Sequence, residues 1–468
     1  MTPGDFSFLV FFAAVFLCFG RLPSVALRQH LLAWSSVALY ALWDWRFVPV
    51  LLGVTATAWL GGMAIGGART RVRLVTTCAV GAVLLILSGF KYLGFLAGVL
   101  ASLGLSADSE FGLTLIFPLG ISYYSFRAIS YLVDVRRGNA EVERRFHLML
   151  LYIGFFPIIA AGPITRASAF LSQADTLDRA SPQALSQAAY KFAVGFVMKA
   201  VIADALVGIA APVLTNPGEW SQSAVWVASF ACYAQLYFDF AGYSLMAIGC
   251  AAWLGFKVPP NFNWPTLAVS IGDYWRRWHM SLSSWLRDYL YIPLGGSQKG
   301  ALRAYGNLFL VMLLSGIWHG PSWNFVAWGG MHGLALVVFK FWRQQLPGHL
   351  LKMLDASMIW TVGCFLLTQF WIFLSRIVFG TASIDKAGAV VTALFEANPG
   401  ASNDYPLWLA LAIATPLVLD GVIGPRTLGM NRAKAISPVA GALALGAMMG
   451  VALWLLPLTR APFIYVQY

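Results

Sequence analysis

The sequence contains few charged residues: Asp, Glu, Lys and Arg make up only 11% of its 468 positions, whereas hydrophobic residues make up 59%. A soluble chain could not bury that much apolar surface, so this composition excludes a soluble globular protein. The mean hydropathy of +0.72 points the same way. Many apolar runs reach the roughly 20 residues needed to cross a bilayer, and the sequence therefore predicts a polytopic membrane protein.

Several other patterns are missing. The apolar runs do not alternate with polar residues, which excludes a transmembrane β-barrel and leaves α-helices as the spanning structure. The five cysteines have no paired spacing, and we interpret them as small core residues. No basic leader or small-residue cleavage site accompanies the first apolar run, so we expect a retained helix there rather than a signal peptide.

Acidic residues are scarce beside basic ones, 19 against 31, which gives a net charge of +12. The basic residues punctuate apolar helices and form no single patch, so we expect loops facing anionic lipid and no nucleic-acid partner. The positive-inside rule places both termini outside the cytoplasm, including the C-terminal aromatic tail at residues 462–468. We expect one all-α, membrane-embedded domain over residues 1–468, with about ten crossings plus re-entrant or interfacial helices.

The apolar runs also predict where the helices lie. We expect a re-entrant segment at residues 146–163, because basic residues flank it on both sides. We expect a hairpin at 308–341 bent at Gly320 and Pro321, and a polar cytoplasmic surface at 175–187. The remaining helices are expected at about 6–20, 31–65 (two helices, broken at 43–46), 74–103, 113–133, 188–213, 225–254, 359–378, 407–422 and 439–456.

Three of the six histidines lie between residues 270 and 333: His279, His319 and His332. His319 interrupts an apolar run, and an ionisable group at such a position usually marks a site. A neutral imidazole there could accept a proton from a hydroxyl or thiol as a general base. The pattern alone leaves a second interpretation open, a helix-bridging histidine whose hydrogen bonds are satisfied. We interpret His332 as structural.

His279 lies in a segment rich in tryptophan and arginine. Helical spacing would place Trp275 and Ser283 beside it on one face. Such a composition is typical of an amphipathic helix at the membrane surface. It also fits a site for a phosphate-bearing donor, for which Arg276 and Arg277 are the candidate contacts.

Two further ionisable residues lie within apolar runs. Asp239 needs a partner or a cavity; it could orient a helix through an arginine or tyrosine, or assist a histidine, and we favour structural support. Lys199 lies near a predicted helix end, from which its side chain could extend to the membrane surface. No spacing of histidine and carboxylate resembles a metal site, so we expect no metal.

Three segments resemble motifs of the membrane-bound O-acyltransferase (MBOAT) family: QLYFDFAGYS at 235–244, DYWRRWHMSLSSWLRDYLYIPLGG at 273–296 and LLSGIWHGPSWNFVAWGGMHG at 313–333. The chain is similar to the bacterial branch that contains the inner-membrane alginate O-acetyltransferase. The resemblance implies helices around a central funnel and a catalytic motif region at 235–333. It also implies that His319 is catalytic and that His279 is the second motif histidine. Leu245 stands where alginate-type members often carry an acid, so the resemblance does not name the polymer.

The resemblance implies an O-acyltransferase, most simply an O-acetyltransferase, of the bacterial inner membrane. It would pass an acyl group from a cytoplasmic donor, acetyl-coenzyme A or secondly an acyl carrier protein, to an exopolysaccharide outside. The aromatic tail at 462–468 resembles the C-terminal motif of this branch, which implies that Tyr465 relays the acyl group to a secreted SGNH-like partner. Tyr465 could instead be an interfacial anchor. D-alanyl transfer of the teichoic-acid type, a transporter of acyl or lipid-linked units and a non-catalytic scaffold remain alternatives.

Overall fold

The computed structural model describes residues 5–68, 70–102, 118–398, 401, 403–427 and 438–456. Within these ranges the chain is built from helices and contains no β-strand; an isolated bridge joins Trp220 and Asn403. The all-α prediction is therefore confirmed for the part of the chain that the structure describes. Tyr465 and the rest of the aromatic tail lie outside the described residues.

Twenty α-helices lie within the described residues. Up to residue 196 they are α1 (Phe6–Arg21), α2 (Val25–Asp44), α3 (Val48–Gly67), α4 (Val72–Lys91), α5 (Leu93–Ser102), α6 (Ile121–Arg137), α7 (Phe146–Gly154), α8 (Ala167–Asp175) and α9 (Pro182–Phe196). The later ones are α10 (Asp204–Thr215), α11 (Gln222–Trp253), α12 (Ile271–Arg277), α13 (Met280–Leu286), α14 (Ala301–His319), α15 (Trp323–Gln345), α16 (Gly348–Ala356), α17 (Met358–Gly380), α18 (Ile384–Phe395), α19 (Trp408–Thr427) and α20 (Pro438–Trp454). Short 3-10 turns lie at Trp45–Phe47, Phe156–Ile158, Pro217–Glu219 and Pro265–Leu267, and π-helical segments at Val197–Ala203 and Arg287–Tyr291.

Six helical stretches among the described residues are long and apolar enough to cross a bilayer. They are Val25–Gly67, Val72–Lys91, Pro182–Thr215, Ala301–His319, Trp323–Gln345 and Met358–Gly380. The first stretch holds two helices, α2 and α3, each of 20 residues. These lengths match the bilayer core, and the chain is therefore a multi-pass membrane protein.

Several predicted boundaries are confirmed. The break between α2 and α3 falls at Asp44–Phe47, where the Asp44 carboxylate accepts the backbone N–H of Arg46 at 3.0 Å and so caps the turn. The hairpin bent after His319 is present as α14 and α15, and α11 covers the predicted run at about 225–254 to within one residue.

Other boundaries were wrong. The run predicted as one helix at 74–103 is two helices, because α4 ends before Tyr92 and α5 begins after it. The helix predicted from residue 188 begins at Pro182, so part of the segment expected to be polar surface is helical. That helix continues through the π-helical segment Val197–Ala203, which no hydropathy pattern reveals.

The chain packs into two compact units. In the described residues of the first, 1–195 and 243–260, Arg127 of α6 is completely buried. Its guanidinium donates to the backbone oxygens of Ile153 at 3.0 Å and Ile158 at 2.7 Å. The Ile153 carbonyl lies at the end of α7, where a regular helix supplies no partner, and the Ile158 carbonyl ends the following 3-10 turn, where it also accepts the N–H of Gly162 at 3.2 Å. The arginine thus allows α7 to end inside the protein, within the segment 146–163 that the sequence predicts to be re-entrant.

The second unit comprises residues 196–242 and the described residues from 261 onward. At its centre the hairpin of α14 and α15 packs against α17 and α12. His279, His319 and His332 all belong to this unit, which therefore contains the candidate site.

We predict that Arg127→Met lowers the stability of the protein, because it leaves the Ile153 carbonyl buried without a donor and removes one of the two donors to the Ile158 carbonyl. The expected cost is about 2 kcal/mol or more. The measurement is the midpoint of thermal unfolding of the purified protein in detergent. Arg136→Met in the same helix is the matched control, since Arg136 is exposed. Equal midpoints for the two variants would contradict the assignment.

Candidate active site

The α14–α15 hairpin is held by direct backbone contact between its two helices. A Cβ atom added at Gly316 would lie 2.2 Å from the backbone oxygen of Phe325 and 2.9 Å from Cα of Gly329. A Cβ atom at Gly329 would lie 2.7 Å from the backbone oxygen of Met312. Only glycine fits at either position, as small residues at helix interfaces in membranes allow the closest approach. The contact fixes the end of α14, where His319 lies.

His319 is the last residue of α14 and is 4% exposed. Three aromatic rings surround the imidazole edge to face: Trp318 at 4.8 Å, Trp328 at 4.9 Å and Phe379 at 5.2 Å between ring centroids. We call these three residues the aromatic cage. The cage places the imidazole inside the protein rather than against lipid, in an apolar environment from which bulk water is largely excluded.

His332 lies in α15 and is completely buried. Trp275 Nε1 donates to its Nδ1 at 3.3 Å, and its Nε2 lies 3.1 Å from Ser375 Oγ. The Ser375 hydroxyl donates to the backbone oxygen of Ile372, so it accepts from Nε2–H, which assigns the tautomer. Both ring nitrogens are therefore engaged, as in a histidine that joins helices. Trp328 packs on this ring at 4.6 Å and connects it to the aromatic cage.

His279 does not lie within a helix. The prediction that Trp275 and Ser283 flank it on one helical face is wrong, because α12 ends at Arg277 and α13 begins at Met280. His279 itself has φ 44° and ψ 51°, a left-handed conformation that is uncommon for a residue with a side chain.

The segment around Asn261 imposes this break. The Asn261 backbone oxygen accepts the N–H of Met280 at 2.9 Å, and its side-chain oxygen accepts the Ser281 hydroxyl at 2.5 Å. These bonds fix the start of α13 in a direction that a continuous helix could not take. Strained backbone held by its surroundings is found frequently at functional sites.

The His279 ring is 1% exposed and lies outside the spanning helices. It packs edge to face on Phe240 at 4.6 Å and lies 6.3 Å from the Trp318 ring. Burial lowers the pKa of His279 to about 3, so its imidazole is neutral at physiological pH and able to accept a proton. Trp318 thus neighbours both His279 and His319, and the structure brings the two predicted histidines to one indole.

Arg276 and Arg277 lie at the end of α12 and both pair with Asp273. The Arg276 Nη2 to Asp273 Oδ1 distance is 3.4 Å, and the Arg277 Nε to Asp273 Oδ2 distance is 2.9 Å. Arg277 also donates to the backbone oxygen of Asn263. The Arg276 side chain is 70% exposed, so of the two it is the one more open to a ligand.

Asp239 is paired with a lysine rather than the predicted arginine or tyrosine. Lys199 Nζ lies 2.8 Å from Asp239 Oδ1 and 2.6 Å from Asp204 Oδ1. All three residues are buried, so the interpretation of Lys199 as a side chain reaching the membrane surface is wrong. The cluster ties the π-helical segment to α11 and gives each of these buried charges a partner of opposite sign.

Sequence reasoning missed the aromatic cage and the break at His279. Trp318 adjoins His319 and could have been noted, but Trp328 and Phe379 come from other helices and no spacing links them to His319. The described residues contain no cluster of three or more His, Cys, Asp and Glu side chains that could hold a metal ion. The arrangement offers buried imidazole, able to take up and return a proton in an apolar environment.

Comparison with known proteins gives consistent matches over this region. The family model described as MBOAT, membrane-bound O-acyltransferase family, matches residues 121–383. The chain is 39% identical to a probable alginate O-acetylase AlgI of Pseudomonas putida over 345 residues, 71% of this chain and 69% of the relative. It is 35% identical to the protein of that name from Azotobacter vinelandii over 432 residues, covering 89% and 83% of the two chains. A peptidoglycan O-acetyltransferase of Helicobacter pylori is 33% identical over 335 residues, 65% of this chain and 63% of its own.

The left-handed backbone at His279 leads to a test of stability. His279→Asn should keep an unfolding midpoint near that of the wild type, because asparagine tolerates this conformation. His279→Val should be less stable than His279→Asn by about 1–3 kcal/mol, since a β-branched residue is strained there. Met280→Val, one residue later in regular helix, is the control for valine itself. Equal midpoints for His279→Asn and His279→Val would show that the break is not a constraint.

Proposed function

The chain belongs to the membrane-bound O-acyltransferase family and is a membrane O-acyltransferase, and we propose that it transfers acetyl groups to a polysaccharide outside the cytoplasm. The observation that carries the proposal is the buried His319 imidazole at the end of α14, within the family-matched range. Relatives named as an alginate O-acetylase and a peptidoglycan O-acetyltransferase support acetyl as the group transferred.

In the proposed step, His319 acts as the general base. Its neutral imidazole accepts the proton of an acceptor hydroxyl, and the oxygen attacks the carbonyl carbon of a thioester. The carbon–oxygen bond forms, the carbon–sulfur bond breaks, and the imidazolium returns the proton to the departing sulfur. The aromatic cage supports this role, because an apolar environment that excludes water limits hydrolysis of the thioester. His279, whose imidazole is neutral, is the second candidate catalytic residue and neighbours the same Trp318 ring.

The proposed donor is acetyl-coenzyme A, with an acyl carrier protein as the second choice. Arg276 and Arg277 are the proposed contacts for its phosphate groups, since arginine forms strong paired hydrogen bonds with phosphate oxygens. Arg276 supports this best, because its side chain is exposed and its distance to Asp273 is the longer of the two. The Asp273 pairs orient both guanidinium groups before a donor arrives.

The proposal includes a location and a topology. The chain would lie in the inner membrane of a bacterium, with about ten crossings, further re-entrant or interfacial helices around a central funnel, and both termini outside the cytoplasm. The basic loops predicted on the cytoplasmic side support this orientation. A cytoplasmic donor and an external acceptor would then meet at a histidine between them.

We also propose that Tyr465 relays the acetyl group to a secreted SGNH-like partner, which modifies the polymer. A phenol becomes a nucleophile only when a base takes its proton, and His319 is the base available for that step. In the relay, the acceptor hydroxyl of the step above is the Tyr465 phenol, and the ester formed on it is passed on outside.

The catalytic role of His319 is tested by His319→Ala. We expect acetyl transfer by the reconstituted protein to fall by at least about 100-fold, the lower range for loss of a general base. The assay uses radiolabelled acetyl-coenzyme A and measures acetyl groups on the exopolysaccharide or on the isolated acceptor. His349→Ala is the matched control, because His349 is exposed and lies outside all three motifs.

The same assay separates the alternatives. A transporter of acyl units should keep partial flux with alanine at position 319, and that result would overturn the enzyme role of the histidine. Mass analysis of the modified polymer distinguishes acetyl from D-alanyl groups, and a D-alanyl product would replace acetylation by the teichoic-acid type of transfer.

The relay has its own prediction. Mass spectrometry of the C-terminal peptide, taken from protein incubated with donor and without the partner, should show one acetyl group on Tyr465. Tyr465→Phe should lose this group and at least most polymer acetylation, whereas His319→Ala should prevent the modification as well. A normal transfer rate with Tyr465→Phe would rule out the relay and leave the rest of the proposed function intact.

A further inference from the structure

Arg376 lies in the spanning helix α17 and is only 3% exposed. Its guanidinium stacks over the Trp278 ring at 3.8 Å, and its Nη2 donates to the Tyr274 hydroxyl at 2.6 Å. Among the residues that the structure describes, no carboxylate lies within ion-pair distance of this arginine. A charge inside a membrane protein is costly unless it is paired, and such residues usually mark a ligand or ion site.

The guanidinium borders a small pocket of about 10 Å³, room for about one water-sized group, and one side of this pocket is open. The pocket lies among α11, α12, α17 and the 3-10 turn Pro265–Leu267. The residues that line it are Tyr233, Tyr237, Pro265, Thr266, Tyr274, Trp278, Ile372 and Arg376. His279, His319 and the aromatic cage are not among its lining residues, so it is a space apart from the candidate catalytic histidines.

The polar groups of this pocket are mostly hydrogen-bond donors. The Tyr274 oxygen already accepts from Arg376, which leaves its own O–H to donate. The Thr266 hydroxyl is buried and has no hydrogen-bond partner among the described residues. The phenols of Tyr233 and Tyr237 donate away from the pocket, to Gln369 at 2.7 Å and Asp420 at 2.5 Å. A guanidinium beside two hydroxyl donors matches the oxygens of a carboxylate or phosphate group.

We propose that the pocket at Arg376 is a binding site for an oxyanion: one oxygen of a carboxylate or phosphate group occupies the space beside the guanidinium, and the rest of the larger molecule lies outside the open side. The anion supplies the counter-charge that Arg376 otherwise lacks and accepts hydrogen bonds from Tyr274 and Thr266. Trp278 immediately precedes His279 in the chain, so an occupied pocket also steadies the break that positions the second candidate catalytic histidine.

Binding is tested without relying on turnover. The unfolding midpoint of the full-length protein in detergent is measured against rising sodium phosphate or sodium acetate, at constant ionic strength kept with sodium chloride. A ligand that binds only the folded state raises the midpoint in a saturable way. We expect this rise in the wild type and at least a tenfold weaker apparent affinity in Arg376→Gln.

Two further variants keep the test decisive. Tyr274→Phe removes one donor and keeps the ring, so it should fold and should also weaken anion binding. Arg343→Gln is the control for loss of one arginine, because Arg343 is at the surface and paired with Asp355 at 2.9 Å. Its affinity should equal that of the wild type. No saturable rise in the wild type, or the same rise in the wild type, Arg376→Gln and Tyr274→Phe, would overturn the proposal.

Matched probes then identify the source of the oxyanion; this step alone rests on the proposed function. Coenzyme A is compared with pantetheine, which has no phosphate, and glucuronate with glucose, which has no carboxylate. Arg376-dependent stabilisation by coenzyme A but not pantetheine assigns the pocket to the donor. The same dependence for glucuronate but not glucose assigns it to an acidic acceptor sugar. Phosphate or acetate binding that depends on Arg376 supports the site even where acetyl transfer itself fails.

Discussion

The site depends on one close contact, the backbone of Gly316 against that of Gly329. Because no side chain separates α14 from α15 at this point, the hairpin holds His319 at the end of one helix and Trp328 within the other. Trp328 in turn packs on both His319 and His332. A larger residue at either glycine would push the helices apart and open the aromatic cage. The position of the His319 ring therefore depends on glycine at both places.

Irregular backbone and buried polar groups occur together throughout the chain, as they must where lipid offers no hydrogen bonds. Arg127 serves the carbonyls at the end of α7, Lys199 bridges Asp204 and Asp239 at the π-helical segment, and Asn261 holds the break before α13. Arg376 differs from these, since its charge has no acidic partner among the described residues and faces a pocket. The other three groups stabilise the fold, whereas Arg376 is the one that we propose binds a ligand.

Much of this arrangement could be predicted from the sequence, because hydropathy and charge report directly on helices in membranes. The α14–α15 hairpin, α11 and the break after Asp44 follow from apolar runs and their polar interruptions. The motifs around His279 and His319 predicted the family, which the comparisons confirm over residues 121–383. The left-handed His279, the lysine partner of Asp239 and the Phe379 side of the cage were not predictable, since each depends on contacts between segments distant in sequence.

The central claim is that the His319 imidazole takes part in the chemistry and is more than a buried helix contact. A structure of the protein with a non-hydrolysable thioester analogue of the donor tests it most directly. The account predicts that the acyl carbonyl group lies beside the His319 ring, separated from it by one acceptor oxygen or by the space for one. The acceptor oxygen and the carbonyl carbon should lie roughly 3–3.5 Å apart, as reacting atoms do. An acyl group bound elsewhere, with the aromatic cage still closed around His319, would contradict it.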